Sequence, residues 1–385
     1  MRTRQLSAAI GSTALAIWIG LGPAALVASA NGIGDLYVAQ AKGVDEVHVA
    51  SRAVVNTVSL TPAPSALAFT PDGRTLYSAD GGRFVTRIDI ETISVADRVA
   101  VPSNVSALAH PKGDLLAIAY ESTKLVEFLD PTDDSLHATA ALPGAVDLLA
   151  ADRHEDRLVA AEFGAGWIAV IDPATRAVRT GTVAGEVVAI AVDGDSGEAY
   201  VATSAPDTIV RIGLDDLKTM WTTELTDMPG ALAATPGGAI VSVGLTLWKV
   251  TATDAAKWGT AAAEVAALAT SDDRGVIYAA AGDAVEAFGS DGKVARTIPL
   301  GTKAAPSALA PIPRASSIAD ASGGSTGGPA TSAAPNVHAP ATDTLADAAG
   351  RLLSSEAAIG AAAIAAVILA ATFVGSRWHI RRQAE

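Results

Sequence analysis

The chain contains no cysteine, which excludes disulfides, thiolate zinc sites, iron–sulfur clusters and cysteine nucleophiles. Aromatic residues make up only 4% while hydrophobic residues reach 50%, so alanine and valine must supply most of any core. Histidine is also scarce. Within residues 31–312 the histidines are His48, His110, His137 and His154, no two at i, i+4 or close strand spacing, so a metal or general-base role rests on nothing local. No Gly-x-Ser-x-Gly elbow, Walker loop or dinucleotide fingerprint is present. Basic charge is short as well: 27 Lys and Arg face 41 Asp and Glu. Between residues 31 and 312 the balance is 20 basic to 36 acidic, a net of −16. Such a region repels nucleic acid and anionic lipid heads, and attracts cationic ligands or metal ions.

Both ends are apolar. Arg2 and Arg4 precede an apolar stretch from Leu6 to Leu21, then Gly22-Pro23, then Ala28-Ser29-Ala30. This order describes a secretory signal peptide over residues 1–30, cut before Asn31. An uncleaved anchor helix is the competing reading; the helix breaker just ahead of a small-x-small site favours cleavage. At the other end, Ala357 to Gly375 carries no charge and as a helix would span about 28 Å, close to the hydrocarbon thickness of a bilayer. Arg377, Arg381 and Arg382 follow, with Trp378 at interface depth, so the tail is expected inside and everything before it outside. A buried Ala-rich core helix is the alternative, and the arginine cluster argues against it. An exported domain without cysteine must then rest on its core and ladder hydrogen bonds, which nearly three hundred residues can supply.

Between these ends one unit recurs. Its clearest copy runs from Ser65-Ala66-Leu67-Ala68-Phe69 through the turn Thr70-Pro71-Asp72-Gly73-Arg74 to Thr75-Leu76-Tyr77-Ser78-Ala79-Asp80. Positions matching Leu67 are Leu108, Leu149, Ile190, Leu232, Leu268 and Leu309, with successive differences of 41, 41, 41, 42, 36 and 41. The second strand counts independently: Tyr77 matches Ile118 or Ala119, Val159, Tyr200, Ile240 or Val241, and Tyr278. A fixed period in the low forties with short alternating strands implies four-stranded propeller blades. Third strands follow at Val85–Asp89, Leu125–Asp130 and Trp167–Asp172, and a fourth at Ala177–Val183. Inner strands converge at an axis, so Ala-Leu-Ala fits there where larger residues would not.

Two fragments remain. Tyr37 precedes Tyr77 by one period with no first strand before it, and Ser307 to Pro311 is a first strand with nothing after it. Together they complete one blade. The expectation is a seven-bladed β-propeller over residues 31–312, closed by pairing of N- and C-terminal strands. In blades five and six the period drops to 36 and Gly237-Gly238 replaces the Asp-Gly turn, leaving boundaries open around residues 215–265.

The runs Pro64 to Asp80 and Ala169-Val170-Ile171-Asp172-Pro173-Ala174-Thr175-Arg176-Ala177-Val178 resemble YVTN-type β-propeller repeats of bacterial and archaeal surface proteins, over roughly Gly34 to Ile312. The resemblance implies a fold and is nearly silent on function. Residues 313–350, rich in Ala, Ser, Gly, Pro and Thr, read as a disordered stalk. Its flexible reach is roughly 35 Å, and on the order of 130 Å fully stretched. Residues 351–376 read as a juxtamembrane and transmembrane helix, and 377–385 as a basic cytoplasmic tail.

Propeller ligands usually sit at a tunnel mouth, on turns between second and third strands. The residues there are Gln40, Asp80, Glu121, Glu162, Thr203, Gly244 and Ala281. The first four form an expected polar arc able to hold a divalent cation or a basic ligand; strand capping and solvent exposure are the plainer reading. Asp193-Gly194-Asp195-Ser196-Gly197-Glu198 resembles the start of a calcium loop, but falls where blade one has a hairpin turn. His110 occupies the Thr70 position and reads as a turn histidine. Trp167, Trp221, Trp248 and Trp258 are expected on outer or third strands, packed between blades, or as an exposed platform. No catalytic residue, metal ligand or cofactor is assigned. The leading expectation is a surface-displayed binding or scaffold domain with an unidentified protein, glycan or small-molecule ligand and no nucleic acid. The alternative is a propeller enzyme, a lactonase-like hydrolase or quinone-dependent dehydrogenase component, with its site at the tunnel mouth. A third reading is a structural subunit of an envelope complex.

Overall fold

The innermost strand of every blade is a short run of small and aliphatic residues, as in Ala66–Phe69, Val105–Ala109 and Leu148–Asp152. Alternating side chains on such strands pack against the sheets on either side. The computed structural model describes residues 20–21 and 35–312, except 81, 153–154, 194–195, 272–274 and 302–305. Residues 35–312 form seven four-stranded antiparallel sheets, one per blade. The expected leader (apart from the backbone of Gly20–Leu21), stalk, membrane helix and tail lie outside the described residues. Among those described, no helix is long and apolar enough to cross a membrane. Gly20–Leu21 runs parallel to the inner strand of blade 3, with Gly20 opposite Leu148.

Blade 1 comprises strands 66–69, 75–79, 84–89 and 94–100; blades 2 to 6 repeat this meander. Blade 7 is the composite one, in the order Ala308–Pro311, Asp35–Gln40, Gly43–His48, Ala53–Ser59. Val38 stands opposite Leu309 and Tyr37 opposite Ala310. Head and tail of the propeller therefore share one sheet. The closure leaves the ring no unpaired blade boundary.

Seven apolar clusters hold the wheel together, one at each boundary between blades. At the closure, Tyr37 and Ala310 of blade 7 meet Leu67, Phe69 and Leu76 of blade 1, and the Tyr37 and Phe69 rings pack edge to face at 5.4 Å. Burying each such side chain contributes roughly 1.5–3 kcal/mol. The four tryptophans fall where expected: Trp167 and Trp248 on third strands, Trp221 and Trp258 on fourth strands, each against an inter-blade cluster.

The short period has a local cause. Five residues (70–74) join the first two strands of blade 1, but only 236–237 do so in blade 5. Four residues (80–83) join its second and third strands, against 244–245. Gly237 and Gly244 have φ of 74° and 58°, which such tight turns require. The loss of five turn residues accounts for the spacing of 36. In blade 2 Ala109 pairs with Ala117 rather than with Ile118 or Ala119, because its first hairpin is one residue tighter than that of blade 1: Leu108 stands opposite Ile118, ten residues on, whereas Leu67 stands opposite Ser78, eleven residues on.

Outer strands carry a break in register in every blade but blade 3. A bulged outer edge is a poor template for another strand.

Candidate functional site

The meander sorts its turns onto two faces. Second-to-third turns and the connections between blades lie on one, the upper face. First-to-second and third-to-fourth turns lie on the other, the lower face. Gln40, Asp80, Glu121 and Glu162 all end or follow second strands, so the topology brings the four to the upper face.

Their environments differ. Gln40 and Asp45 are buried; Gln40 Nε2 donates to Asp45 at 2.7 Å, and Thr57 Oγ1 donates to the other oxygen at 2.7 Å. Asp80 accepts the Gly82 N–H at 2.8 Å and pairs with Arg98, whose guanidinium lies 4.2 Å above the Phe84 ring. In blades 7 and 1 the polar groups are thus engaged with neighbours.

Blades 2 and 3 are different. Glu121 accepts from Asn104 Nδ2 at 3.2 Å, and Glu162 from Trp167 Nε1 at 3.1 Å. Asp147, just before the inner strand of blade 3, accepts the Phe163 N–H at 3.1 Å. Burial pushes the Asp147 carboxyl above the usual carboxylate range, and the charges of Glu162 and Glu121 push it further, against that one hydrogen bond. Three carboxyls therefore share one electrostatic neighbourhood. Gly144 makes room for them: a Cβ there would stand 2.0 Å from Glu162 Oε2 and 2.8 Å from Trp167 Nε1. The position of Asp147, before a first strand, escaped a search confined to the ends of second strands. The residue just before the inner strand is acidic in blades 3 and 6 alone, as Asp147 and Glu264, so the repeat carried no signal for it.

Further round, Thr203 is buried and bonds Thr208 Oγ1 at 2.6 Å, while Gly244 and Ala281 offer no polar side chain. Asp207, Asp227, Glu264 and Asp283 lie on upper turns and connections of blades 4 to 6. Among the described residues, the upper turns and connections of blades 2 to 6 hold one base, Lys124, whose Nζ donates to Pro143 O at 2.8 Å. Phe163, Leu125, Met228 and Leu245 are exposed on the same face.

The lower face binds its charges to structure. Arg157 reaches Asp152 at 2.7 Å and Asp215 of the next blade at 2.5 Å. Arg87 reaches Asp134 and Pro131 O of the next blade. The third-to-fourth turns place Arg52, Ile93, Asp134, Arg176 and Leu217 at positive φ, in blades 7, 1, 2, 3 and 4 in turn. Aspartates cap these turns: Asp89 accepts from Thr92 N at 2.7 Å and Asp172 from Ala174 N at 2.9 Å. Such bonds hold Asp89, Asp130, Asp133 and Asp172 below the usual carboxylate range.

His110 is buried beside its turn, Nδ1 2.9 Å from Pro111 O, its ring stacked on Tyr77. The 193–198 segment closes a hairpin, with Asp193 opposite Glu198. One constellation was not foreseen. Asp130, Asp133 and His137 bring ligand atoms within 4.8 Å of one another. Their spacing, Asp-x-x-Asp-x-x-x-His across a turn, carries no helical or strand period, so only the folded turn unites them.

No family model and no curated relative matches the chain. Solved structures do. Dihydro-heme d1 dehydrogenase NirN superposes with a TM-score of 0.57 at 15% identity over 72% of this chain and 66% of that one. A functionally unknown protein from Desulfotomaculum acetoxidans gives 0.63 at 11% identity over 73% of this chain and all of the other. The Cps50 (Swd1) propeller domain of Myceliophteria thermophila gives 0.53 at 14%, over 62% and 87%. This chain spans just under two thirds of the length of NirN. The class is therefore the seven-bladed β-propeller. At such identities the likeness concerns the fold alone, and enzymes and a non-enzymatic propeller share it.

Proposed function

We propose that this chain is a membrane-anchored, extracytoplasmic propeller that acts as a binding or scaffold domain, its upper face taking a cationic partner. The repeats are of the YVTN type, and the leader, stalk and apolar C-terminal segment display the wheel outside the cell, with the basic tail inside. One observation carries the binding reading. Glu121, Asp147 and Glu162 form a group of carboxyls in which the charges acting on Asp147 are acidic and the hydrogen-bond donors are neutral, whereas Asp80, Asp134 and Asp152 are paired with arginines. Acids left in mutual repulsion lower the energy of an incoming cation. The exposed Phe163 beside them offers an apolar contact, so a basic protein segment fits better than a bare ion.

The test uses the full chain in detergent, probed with octalysine and octaglutamate peptides in a surface-binding assay. Octalysine should bind and weaken with salt, since exposed charges are screened beyond about 10 Å at 0.1 M. The triple variant Glu121→Gln, Asp147→Asn, Glu162→Gln should bind it several-fold more weakly. Equal binding by the variant, or equal binding of octaglutamate, overturns the reading. Protease accessibility of the propeller in intact cells tests its placement outside.

A further inference from the structure

From the lower face we infer a binding site for one transition-metal dication, zinc being the probe, formed by Asp130, Asp133 and His137 on the third-to-fourth turn of blade 2.

The site is assembled by three local features. The turn closes through Asp134 N–H donating to Asp130 O at 2.9 Å, with Asp134 at positive φ, which brings Asp130 and Asp133 to the same side. The outer strand 136–141 then breaks register between its pairings of Leu136 with Leu129 and Ala138 with Phe128, leaving His137 as the extra residue. Bulges re-aim side chains, and here the imidazole turns back over the turn. His137 Nε2 lies 3.2 Å from Asp130 Oδ2 and 3.8 Å from Asp133 Oδ1. Ser135 Oγ stands 2.8 Å from the same nitrogen.

The carboxylates are set in advance. Asp130 Oδ1 accepts from Thr132 N at 2.8 Å and Thr132 Oγ1 at 2.6 Å, which leaves Oδ2 toward the imidazole. Asp133 Oδ1 is bonded by Ser135 N at 3.0 Å. These bonds keep both carboxyls ionised and fix their orientation as outer partners do in metal sites. The turn is in turn stapled to blade 1, where Arg87 donates to Pro131 O at 3.0 Å and pairs with Asp134. Arg87 is thereby occupied with Asp134 rather than with the two ligand carboxylates.

An ion bound at about 2.0–2.2 Å to each donor needs the three atoms roughly 3–3.5 Å apart. Shifts of rotamer scale within the present spacing deliver that. One imidazole nitrogen with two carboxylate oxygens suits zinc, copper or nickel, whereas calcium and magnesium prefer oxygen alone. The remaining coordination positions face water, because His137 and Asp133 are exposed. Binding replaces the histidine–aspartate contact with two metal bonds.

The experiment is zinc titration of the EDTA-treated, dialysed full chain by calorimetry, with His137→Gln, Asp130→Asn and, on the third-to-fourth turn of blade 6, Asp291→Asn alongside. One saturable equivalent is expected, unaffected by millimolar calcium. His137→Gln and Asp130→Asn should weaken it by about 10- to 100-fold, while Asp291→Asn should leave it intact. Unchanged affinity in His137→Gln, absence of saturable binding at 1 mM zinc, or displacement by calcium overturns the site. Should a variant fail to fold, zinc on the wild-type chain should shield His137 from diethylpyrocarbonate in peptide mapping; undiminished modification overturns it equally.

Discussion

The two faces of this wheel carry acids of the same kind and use them in opposite ways. On the lower face Asp89, Asp130, Asp133 and Asp172 accept turn hydrogen bonds and sit below the ordinary carboxylate range. On the upper face Asp147 is pushed above it by burial and by neighbouring acids. Linkage then runs in opposite directions. Lower-face aspartates stabilise the fold above their unfolded values, and that contribution is lost as pH falls through the folded ones. Asp147 favours the fold while it holds its proton, and the benefit is lost as pH rises from the unfolded value through the folded one. On the proposed reading, Asp89 and Asp172 serve the scaffold alone, Asp130 and Asp133 are preset by the same kind of bond, and Asp147 is held against its preference where a cationic partner would relieve it.

The largest way to break this contrast is at Arg157. Its guanidinium neutralises Asp152, which is 0% exposed. Arg157→Leu removes that guanidinium from a buried carboxylate and should cost about 3 kcal/mol, read as a lower urea midpoint. A loss comparable to that of an exposed ion pair would place the lower face in the same category as the upper. A middle-sized effect is expected at Gly144. Alanine there meets Glu162 and Trp167, so the Glu162–Trp167 hydrogen bond opens at a cost of about 1 kcal/mol, with a changed Trp167 environment. Intrinsic fluorescence should shift in Gly144→Ala and in Glu162→Ala alike; a shift in neither removes the glycine's role. The smallest effect has the opposite sign. Asp147→Asn should raise the melting temperature slightly at neutral pH and flatten the decline of stability as pH rises through the folded-state value of that carboxyl. A lower neutral melting temperature would show the carboxylate to be structural after all.

Much of the fold was legible because propeller blades repeat. Leu67 and its counterparts kept a near-constant spacing since each blade buries the same small inner strand against the same neighbours. The composite blade followed from two half-units, and the Val38–Leu309 pairing bears it out. Register was less accessible. In blade 2 a hairpin tighter by one residue moved the partner of Ala109 to Ala117, and turn lengths leave no periodic trace. In blade 5, Gly237 marked a shortened turn, but only the paired strands showed where five residues had gone.

The candidate sites divide along the same line. Chain order alone put Gln40, Asp80, Glu121 and Glu162 at one face, because the end of every second strand must emerge there. Their charge states were beyond it: Arg98 reaches Asp80 from the fourth strand, and Asp147 joins Glu162 across the first two. His137 reaches Asp130 through a bulge that no spacing announces. What this sequence determined by itself was the number of blades, their order and their closure, since hydrophobic periodicity acts along the chain. Which acids are neutralised, which repel and which converge on a histidine was decided only by tertiary structure, because electrostatic energy depends on distance through space.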